Sequence, residues 1–250
     1  MTFRIGSVHY LNALPLTRGL GKDLVRLAPS RLATELHAGR LDAALLSITE
    51  ALFHPSHQIL DGIGILSRGP VYSVGLAHRQ PLDQIQRIHL DPASCTSVNL
   101  LRVLLHQRGW NPSFESLGSY SDAASLDNVL LIGNPAIDFR RQHPERPWWD
   151  LGQAWFESEQ LPFTYAVWVL RQGSDPALRQ LLRESAHRGS VELPDIIRES
   201  TGYDATFRAA YLGGHVQYDL DSPAREGIRR FAQQLRGVTD REVYDPRYVD

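Results

Sequence analysis

The sequence predicts an α/β protein built around largely parallel β-sheet. Three observations carry this prediction. A strand–helix–strand order opens the chain, and the same order restarts near residue 87. A third is that the chain after residue 174 shows mostly helical patterns. With 250 residues, the chain is long enough for one large domain or for two lobes of ordinary size.

The first unit contains short apolar strands around one amphipathic helix. The strands are "FRIGSV" (3–8), "DLVRLA" (23–28), "LDAALLSI" (41–48), "GIGILS" (62–67) and "VYSVGLAH" (71–78), and the helix is "PSRLATELHAG" (29–39). Ser30 can cap this helix, Leu32 and Leu36 share one face, and Gly39 can end it. This order is that of a βαβ unit.

The second unit repeats the order, and helices follow it. Its elements are a strand at 87–90, a helix at 98–109, a strand at 128–133, a short helix from 134 and a strand at 163–170. Gly109 can stop the long helix, and Pro135 suits the first turn of the short one. Near the C-terminus, Ser222 and Pro223 form an N-cap and N1 pair. The tail after 237 has no clear pattern.

Two arrangements fit these elements. One is a single doubly wound sheet, and the other is two lobes with the chain crossing near 70–76 and again near 163–168. In both, ligands bind beyond the C-terminal ends of the strands, where loops enter helices.

Composition excludes several classes of function. The net charge of −2 gives no bulk attraction to nucleic acid or to anionic membrane, and no apolar run is long enough to span a bilayer. The N-terminal segment lacks the pattern of a secretory signal, so we expect a cytoplasmic protein. Cys95 is the single cysteine and Lys22 the single lysine, which leaves no internal disulfide and one unpromising Schiff-base candidate.

The loops that follow four strands indicate a site for a small anion. They are "HYLN" (9–12), Ser47, "DPASCTS" (91–97) and "GN" (133–134). Two of them are rich in small hydroxyl groups, and such loops lead into helix N-termini, whose free N–H groups favour anions. A carboxylate ligand fits this pattern.

Each of these features also has a purely structural interpretation. The hydroxyls of "SCTS" can be helix caps, Ser47 can simply end a strand, Tyr10 can be a core residue, and Asn12 can cap a short helix begun by Pro15. From the residues alone, both interpretations stay open.

Other chemistries have weaker support. His54 and His57 flank a proline without a nearby cysteine or carboxylate cluster, so we expect no metal. Cys95, beside a helix start, is a possible low-pKa thiol without an assigned histidine partner. The sequence has no G-x-G-x-x-G or P-loop motif, so we expect no nucleotide cofactor, and indeed no cofactor of any kind.

Several ordered blocks resemble one family, the chorismate dehydratases of the futalosine route to menaquinone. The blocks are "RIGSVHYLNALPL", "PSRLATELHAGRLDAALLSITEA", "LSRGPVYSVGL", "LDPASCTSVNLLRVLL", "LIGNPAI", "LPFTYAVWVLR" and "REGIRRF". The resemblance implies a two-lobed fold like that of the type 2 periplasmic binding proteins, with two crossover strands and a cleft between the lobes. It divides the chain into lobe 1 (1–74 and 166–250) and lobe 2 (75–165).

The resemblance also implies a reaction and a set of site residues. The reaction converts chorismate to 3-[(1-carboxyvinyl)oxy]benzoate and water, with Asn12 as the catalytic residue, no metal and no cofactor. The implied substrate-binding residues are Tyr10, Ser47, Ser73, Thr96, Ser97, Gly133 and Asn134. Here Thr96 and Ser97 would hold a carboxylate, while Asn12 would bind the departing hydroxyl or the enolpyruvyl arm.

Two positions depart from the family pattern. His9 stands where a serine is usual, and Asn134 stands where an aspartate is common, so no carboxylate is assigned at 134. The alternatives are the sister enzyme that makes dihydroxynaphthoate in the same pathway, and a non-catalytic protein that binds small carboxylates. The sequence makes no prediction of oligomeric state.

Overall fold

The structure, a computed structural model, describes residues 2–250. The strands are β1 (Ile5–Ser7), β2 (Leu24–Arg26), β3 (Ala43–Ser47), β4 (His57–Ser67), β5 (Val74–Ala77), β6 (Arg87–Leu90), β7 (Ser113–Ser116), β8 (Val129–Ile132), β9 (Trp148–Asp150), β10 (Phe163–Arg171), β11 (Gln217–Leu220) and β12 (Tyr248–Val249). The α-helices are α1 (Pro29–His37), α2 (Ile48–Leu52), α3 (Thr96–Gln107), α4 (Gly133–Gln142), α5 (Leu151–Glu159), α6 (Pro176–Val191), α7 (Leu193–Glu199), α8 (Ala205–Ala210) and α9 (Ser222–Leu235).

The strands form two sheets, one in each lobe of a two-lobed α/β fold. The first sheet has the order β11-β4-β10-β3-β1-β2 with β12 beside β4, and the second has the order β7-β6-β8-β5-β9. In the first sheet β1, β2 and β3 are parallel, and β10 runs antiparallel between β3 and β4. The predicted two-lobed arrangement is therefore confirmed, and the single doubly wound sheet is excluded.

The central strands are apolar because helices cover their sheet. Residues 43–46 of β3 are all buried, as are residues 167–170 of β10. The helix α1 places Leu32 and Leu36 against this sheet, and Gly39 follows it with a left-handed φ of 70°.

The chain passes from the first sheet to the second between Ser67 and Val74, and returns between Asp150 and Phe163. On the first passage Tyr72 has a φ of 69°, which is rare for a side chain other than glycine. The Asp150 carboxylate accepts the N–H of Tyr72 at 2.8 Å, and the Arg140 guanidinium lies 3.8 Å from the Tyr72 ring centroid. These contacts fix the backbone of the first passage between the sheets.

The lobe boundaries at 74/75 and 165/166 stay predictions.

The two lobes share a hydrophobic core cluster. It joins Leu66 and Phe163 of the first sheet to Leu76 of the second and to Leu104 of α3. Trp155 of α5 is fully buried within the same cluster. Across residues 2–250, no helix combines the length and the apolar character needed to cross a membrane.

Several local predictions were wrong. The N-cap of α1 is Ala28 without a side-chain hydrogen bond, since Pro29 already takes the first helical position. The N-cap of α9 is Asp221, whose carboxylate accepts the N–H of Ala224 at 3.0 Å, so Ser222 lies inside the helix. The apolar run at 41–48 ends as a strand at Ser47, and Ile48 begins α2.

Candidate functional site

A cavity of about 440 Å³ lies between the lobes, beyond the C-terminal ends of β1, β3 and β8. It is within the size range of small-molecule sites. Seven residues predicted from the sequence line it: Tyr10, Asn12, Ser47, Ser73, Thr96, Ser97 and Gly133. The structure thus brings together residues separated by more than 100 positions in the chain.

Three helices begin at this cavity. Ser47 is the N-cap of α2, and its hydroxyl accepts the N–H of Glu50 at 3.3 Å. From the other lobe, α3 begins at Thr96 and α4 begins at Gly133. The free N–H groups and dipoles at the starts of α3 and α4 favour a negatively charged ligand.

Thr96 joins the two lobes at the cavity. Its hydroxyl oxygen accepts the backbone N–H of Thr49 at 3.1 Å. The hydroxyl proton of Thr96 therefore stays available for a ligand oxygen, while its oxygen links lobe 2 to Thr49 of lobe 1. The sequence assigned the donor role to Thr96 but gave no sign of this contact.

Asn12 presents an unpartnered polar atom. It lies in a short 3-10 helix, Leu11–Ala13, and its buried Oδ1 has no hydrogen-bond partner among the described residues. An unpartnered buried amide oxygen of this kind can accept a hydrogen bond from a ligand hydroxyl. The expected alternative, Asn12 as a helix cap, is wrong, because Leu14 precedes the Pro15–Thr17 turn and no side chain caps it.

Tyr211 supports this part of the cavity from behind. Its hydroxyl donates to Ser73 Oγ at 2.7 Å. Burial raises the pKa of the Tyr211 phenol well above its usual value. The phenol therefore stays protonated and holds Ser73 in position.

Tyr10 and Gly133 form a close contact between the lobes. Gly133 has a φ of 58°, and a Cβ atom at this position would lie 3.1 Å from the Tyr10 ring. Burial, with the charge of Asp91, raises the pKa of Tyr10 to about 12. A neutral Tyr10 thus forms a cavity wall that only a glycine can approach so closely.

Asp91 shapes the loop that leads into α3. Its carboxylate accepts the N–H of Ala93 at 2.9 Å, the Tyr120 hydroxyl at 2.8 Å and the N–H of Ile132 at 3.2 Å. Burial raises the pKa of Asp91, and these hydrogen bonds oppose that rise. The carboxylate ties β6 to β8 and so fixes the start of α3 relative to α4.

The cavity also contains residues that the sequence interpretation missed, among them His37, Glu50 and Tyr165. Within residues 2–250, Glu50 is the single carboxylate in the cavity lining. The signal for Glu50 was present, because "SITE" (47–50) fits the S-x-x-E capping box that starts a helix.

Two other residues behave differently from their predictions. Asn134 does not line this cavity; its Oδ1 accepts the N–H of Leu11 at 3.4 Å, and the residue faces a different cavity. Burial, and to a smaller extent the charge of Glu50, raise the pKa of the Cys95 thiol. The prediction of a low-pKa thiol is therefore wrong.

The fold and the site together define a class: two-lobed α/β proteins with a cleft between the lobes. Solved structures with this fold are similar to this chain over nearly its whole length. The alkanesulfonate-binding protein of Xanthomonas axonopodis pv. citri has a TM-score of 0.69 at 14% identity, covering 99% of this chain and 97% of its own. The periplasmic aliphatic sulphonate binding protein of Escherichia coli has a TM-score of 0.62 at 16% identity, covering 99% and 93%.

The chain belongs to the menaquinone biosynthesis family, whose model matches residues 3–236. A curated relative, the chorismate dehydratase of Thermus thermophilus, is 32% identical over 92% of this chain and 94% of its own length. The sulfonate-binding proteins share the fold, whereas the family and this relative associate the chain with biosynthesis.

Proposed function

We propose that this protein is a chorismate dehydratase, a hydro-lyase that converts chorismate to 3-[(1-carboxyvinyl)oxy]benzoate and water. Membership of the menaquinone biosynthesis family and the similarity to a chorismate dehydratase support this function. The observation that carries the site assignment is the buried, unpartnered amide oxygen of Asn12 in a cavity between helix N-termini. As a biosynthetic enzyme rather than a transport receptor, it would act in the cytoplasm, without a cofactor.

The reaction removes the hydrogen at C3 of the ring and the hydroxyl at C4, and the ring becomes aromatic. The C3–H bond is conjugated through the ring diene to the ring carboxylate. Loss of the C3 proton therefore places negative charge on that carboxylate before the hydroxyl leaves. Catalysis then depends mainly on stabilising this charge.

The start of α3 is suited to this stabilisation. Thr96 and Ser97 are both buried at the cavity, and the first N–H groups of α3 have no partners within the helix. In the proposed complex these hydroxyl and N–H groups hold one substrate carboxylate. Removal of one such donor typically raises a barrier by about 3 kcal/mol.

The other lining residues position the substrate. Asn12 Oδ1 accepts a hydrogen bond from the departing C4 hydroxyl, while Ser73 and Ser47 contact the substrate from the crossover and from lobe 1. Tyr10 and Gly133 form the wall of the cavity. Asn134 supports this wall indirectly, because its Oδ1 accepts the backbone N–H of Leu11, the residue before Asn12.

The base in this proposal is the substrate's own enolpyruvyl carboxylate. It is attached at C3 through the ether oxygen, so it is held beside the proton that it removes, and the proton transfer is intramolecular. The carboxylic acid so formed then gives this proton to the C4 oxygen as the C4–O bond breaks, so the hydroxyl leaves as water and the carboxylate is regenerated. Closure of the lobes over the cavity would exclude water and fix this geometry.

The test is a spectrophotometric assay of chorismate turnover. The wild-type protein should produce a new aromatic absorbance without added metal or cofactor, and Asn12→Ala should lower kcat/KM by roughly a hundredfold. Asn111→Ala, at an exposed position, is the matched control and should leave the rate unchanged.

Three outcomes would contradict parts of the proposal. Activity of Asn12→Ala within about threefold of wild type, under ~0.7 kcal/mol of barrier, would remove Asn12 from the mechanism. Thermal stabilisation by chorismate without turnover would indicate a binding protein. Turnover only of a cyclic futalosine-derived substrate would indicate the sister enzyme.

A further inference from the structure

Three histidines from separate segments meet at one end of lobe 1. His37 is the last residue of α1, His54 follows α2, and His57 begins β4. Each offers one ring nitrogen, and these three nitrogens all lie within 4.8 Å of one another. The Nε2 atoms of His37 and His57 are 2.9 Å apart.

The three rings form a compact triangle in which each pair is stacked, and not a linear stack. Their centroids are 4.4 Å, 4.5 Å and 4.9 Å apart, and the ring planes differ by 20–28°. All three pairs are thus in contact at once. Two ligands of a tetrahedral zinc ion with bonds of about 2.1 Å lie roughly 3.4 Å apart, so small side-chain rotations would complete the geometry.

Neighbouring groups orient two of the rings. His57 Nδ1 lies 3.3 Å from the Glu50 carbonyl oxygen, which can only accept, so Nδ1 carries the proton and Nε2 presents its lone pair. His54 Nδ1 accepts the backbone N–H of Ser56 at 3.4 Å and lies 2.9 Å from Ser56 Oγ, so Ser56 fixes the orientation of this ring. Such hydrogen bonds to the second nitrogen are typical of metal-binding histidines.

The surroundings supply access and charge. His57 is buried, with 4% of its surface exposed, whereas His37 is exposed and lines the interlobe cavity. The Glu50 carboxylate, also in the cavity lining, has Oε1 4.0 Å from His37 Nε2 and is placed to become a fourth ligand. One nearby positive charge opposes a cation here. It is the guanidinium of Arg241, whose central carbon lies 4.0 Å from the centroid of the Phe53 ring and whose charge acts on His37.

We propose that His37, His54 and His57 form a binding site for a borderline first-row divalent metal ion such as Zn²⁺, with Glu50 or water in the fourth position. Three imidazoles and an open position suit zinc and its neighbours in the first row, and not the oxygen-seeking Mg²⁺ or Ca²⁺. The bound ion would tie α1 to the start of β4. The sequence led us to expect no metal, because no cysteine or carboxylate cluster lies near His54 and His57 in the chain; the fold adds His37 to this pair.

The test uses the full-length protein without a histidine tag, first stripped with a chelator. Zn²⁺ is titrated by calorimetry, and Co²⁺ serves as a spectroscopic probe of coordination. The expected result is one Zn²⁺ per chain with a Kd of roughly micromolar or tighter, together with the intense visible bands of tetrahedral Co²⁺. Mg²⁺ should show no binding.

His54→Ala is the main variant, because this side chain is only half-buried and its loss should leave the fold intact. It should weaken Zn²⁺ binding by at least a hundredfold and abolish the Co²⁺ bands. His187→Ala, at an exposed position of α6, is the matched control and should bind like wild type. His57→Gln should give the same loss as His54→Ala.

Two results would overturn the proposal: no Zn²⁺ binding tighter than millimolar, or equal affinity in wild type and His54→Ala. The readouts are binding and spectra, so they do not depend on the proposed dehydratase activity. A failure here leaves that activity standing, and a protein inactive on chorismate can still bind the metal.

Discussion

Replacement of Gly133 by alanine tests whether the contact between Tyr10 and the start of α4 shapes the active cavity. Gly133 has a φ of 58°, where an alanine costs about 1–2 kcal/mol of stability. The new Cβ would also lie 3.1 Å from the nearest Tyr10 ring atoms, so the ring must move by a few tenths of an ångström. The N–H of Gly133 donates to the Ser73 carbonyl oxygen at 2.8 Å, so the shift reaches the crossover as well.

Gly109→Ala is the matched control. Gly109 has a φ of 68°, and an alanine Cβ there would have no neighbouring atom within 4 Å, so this variant carries the backbone cost without the steric one. Both variants should lower Tm, by about 2–4 °C for each kcal/mol in a chain of this size. Gly133→Ala should lose more, because the Tyr10 ring must also be displaced.

Activity separates the two variants. A small misplacement in a cavity that positions its substrate can cost a tenfold or larger factor, so Gly133→Ala should lower kcat/KM for chorismate by roughly tenfold, or ~1.4 kcal/mol. Gly109→Ala should stay near wild type. Equal activity in both folded variants would refute the assignment of Tyr10 and Gly133 to the cavity wall.

The remaining predictions concern Glu50 and Cys95. Glu50→Gln, assayed with a chelator present, should retain activity within about threefold, ~0.7 kcal/mol, because the substrate supplies the base. A loss beyond a hundredfold in a folded variant would make Glu50 the base. Since burial raises the pKa of Cys95, iodoacetamide at pH 8 should label this single thiol more slowly than it labels a free cysteine, as measured by mass spectrometry. Chorismate should slow the labelling further, because Cys95 lines the cavity; labelling at the free rate would contradict its burial.

The α/β class and several of the loops that line the cavity were predictable because they depend on local patterns. Strand ends followed by "HYLN", Ser47 and "SCTS" mark loops that enter helices, and parallel strands bring such loops to one edge. The resemblance to a family then favoured a role in the site over helix capping for Asn12. The unpartnered Oδ1 of Asn12 agrees with that choice but does not test it.

What was not predictable depends on contacts between distant segments. The hydrogen bond from Thr49 to Thr96 and the placement of His37 beside His57 have no periodic signal. Short edge strands such as β12 at 248–249 were missed because two residues show no alternation, and pairing with β4 alone defines them. Glu50, by contrast, lies in an S-x-x-E capping box that is recognisable in the sequence.

The position of β10 in the first sheet has a consequence for how the protein folds during its synthesis on the ribosome. This strand runs between β3 and β4, so the sheet that begins with residue 5 stays open at its middle until residue 171 has been synthesised. All five strands of the other sheet lie between residues 74 and 150 and emerge earlier. The lobe that starts first is thus completed last. During translation β3 and β4 lack the partner strand that lies between them, and their unpaired edges make the nascent chain prone to aggregate.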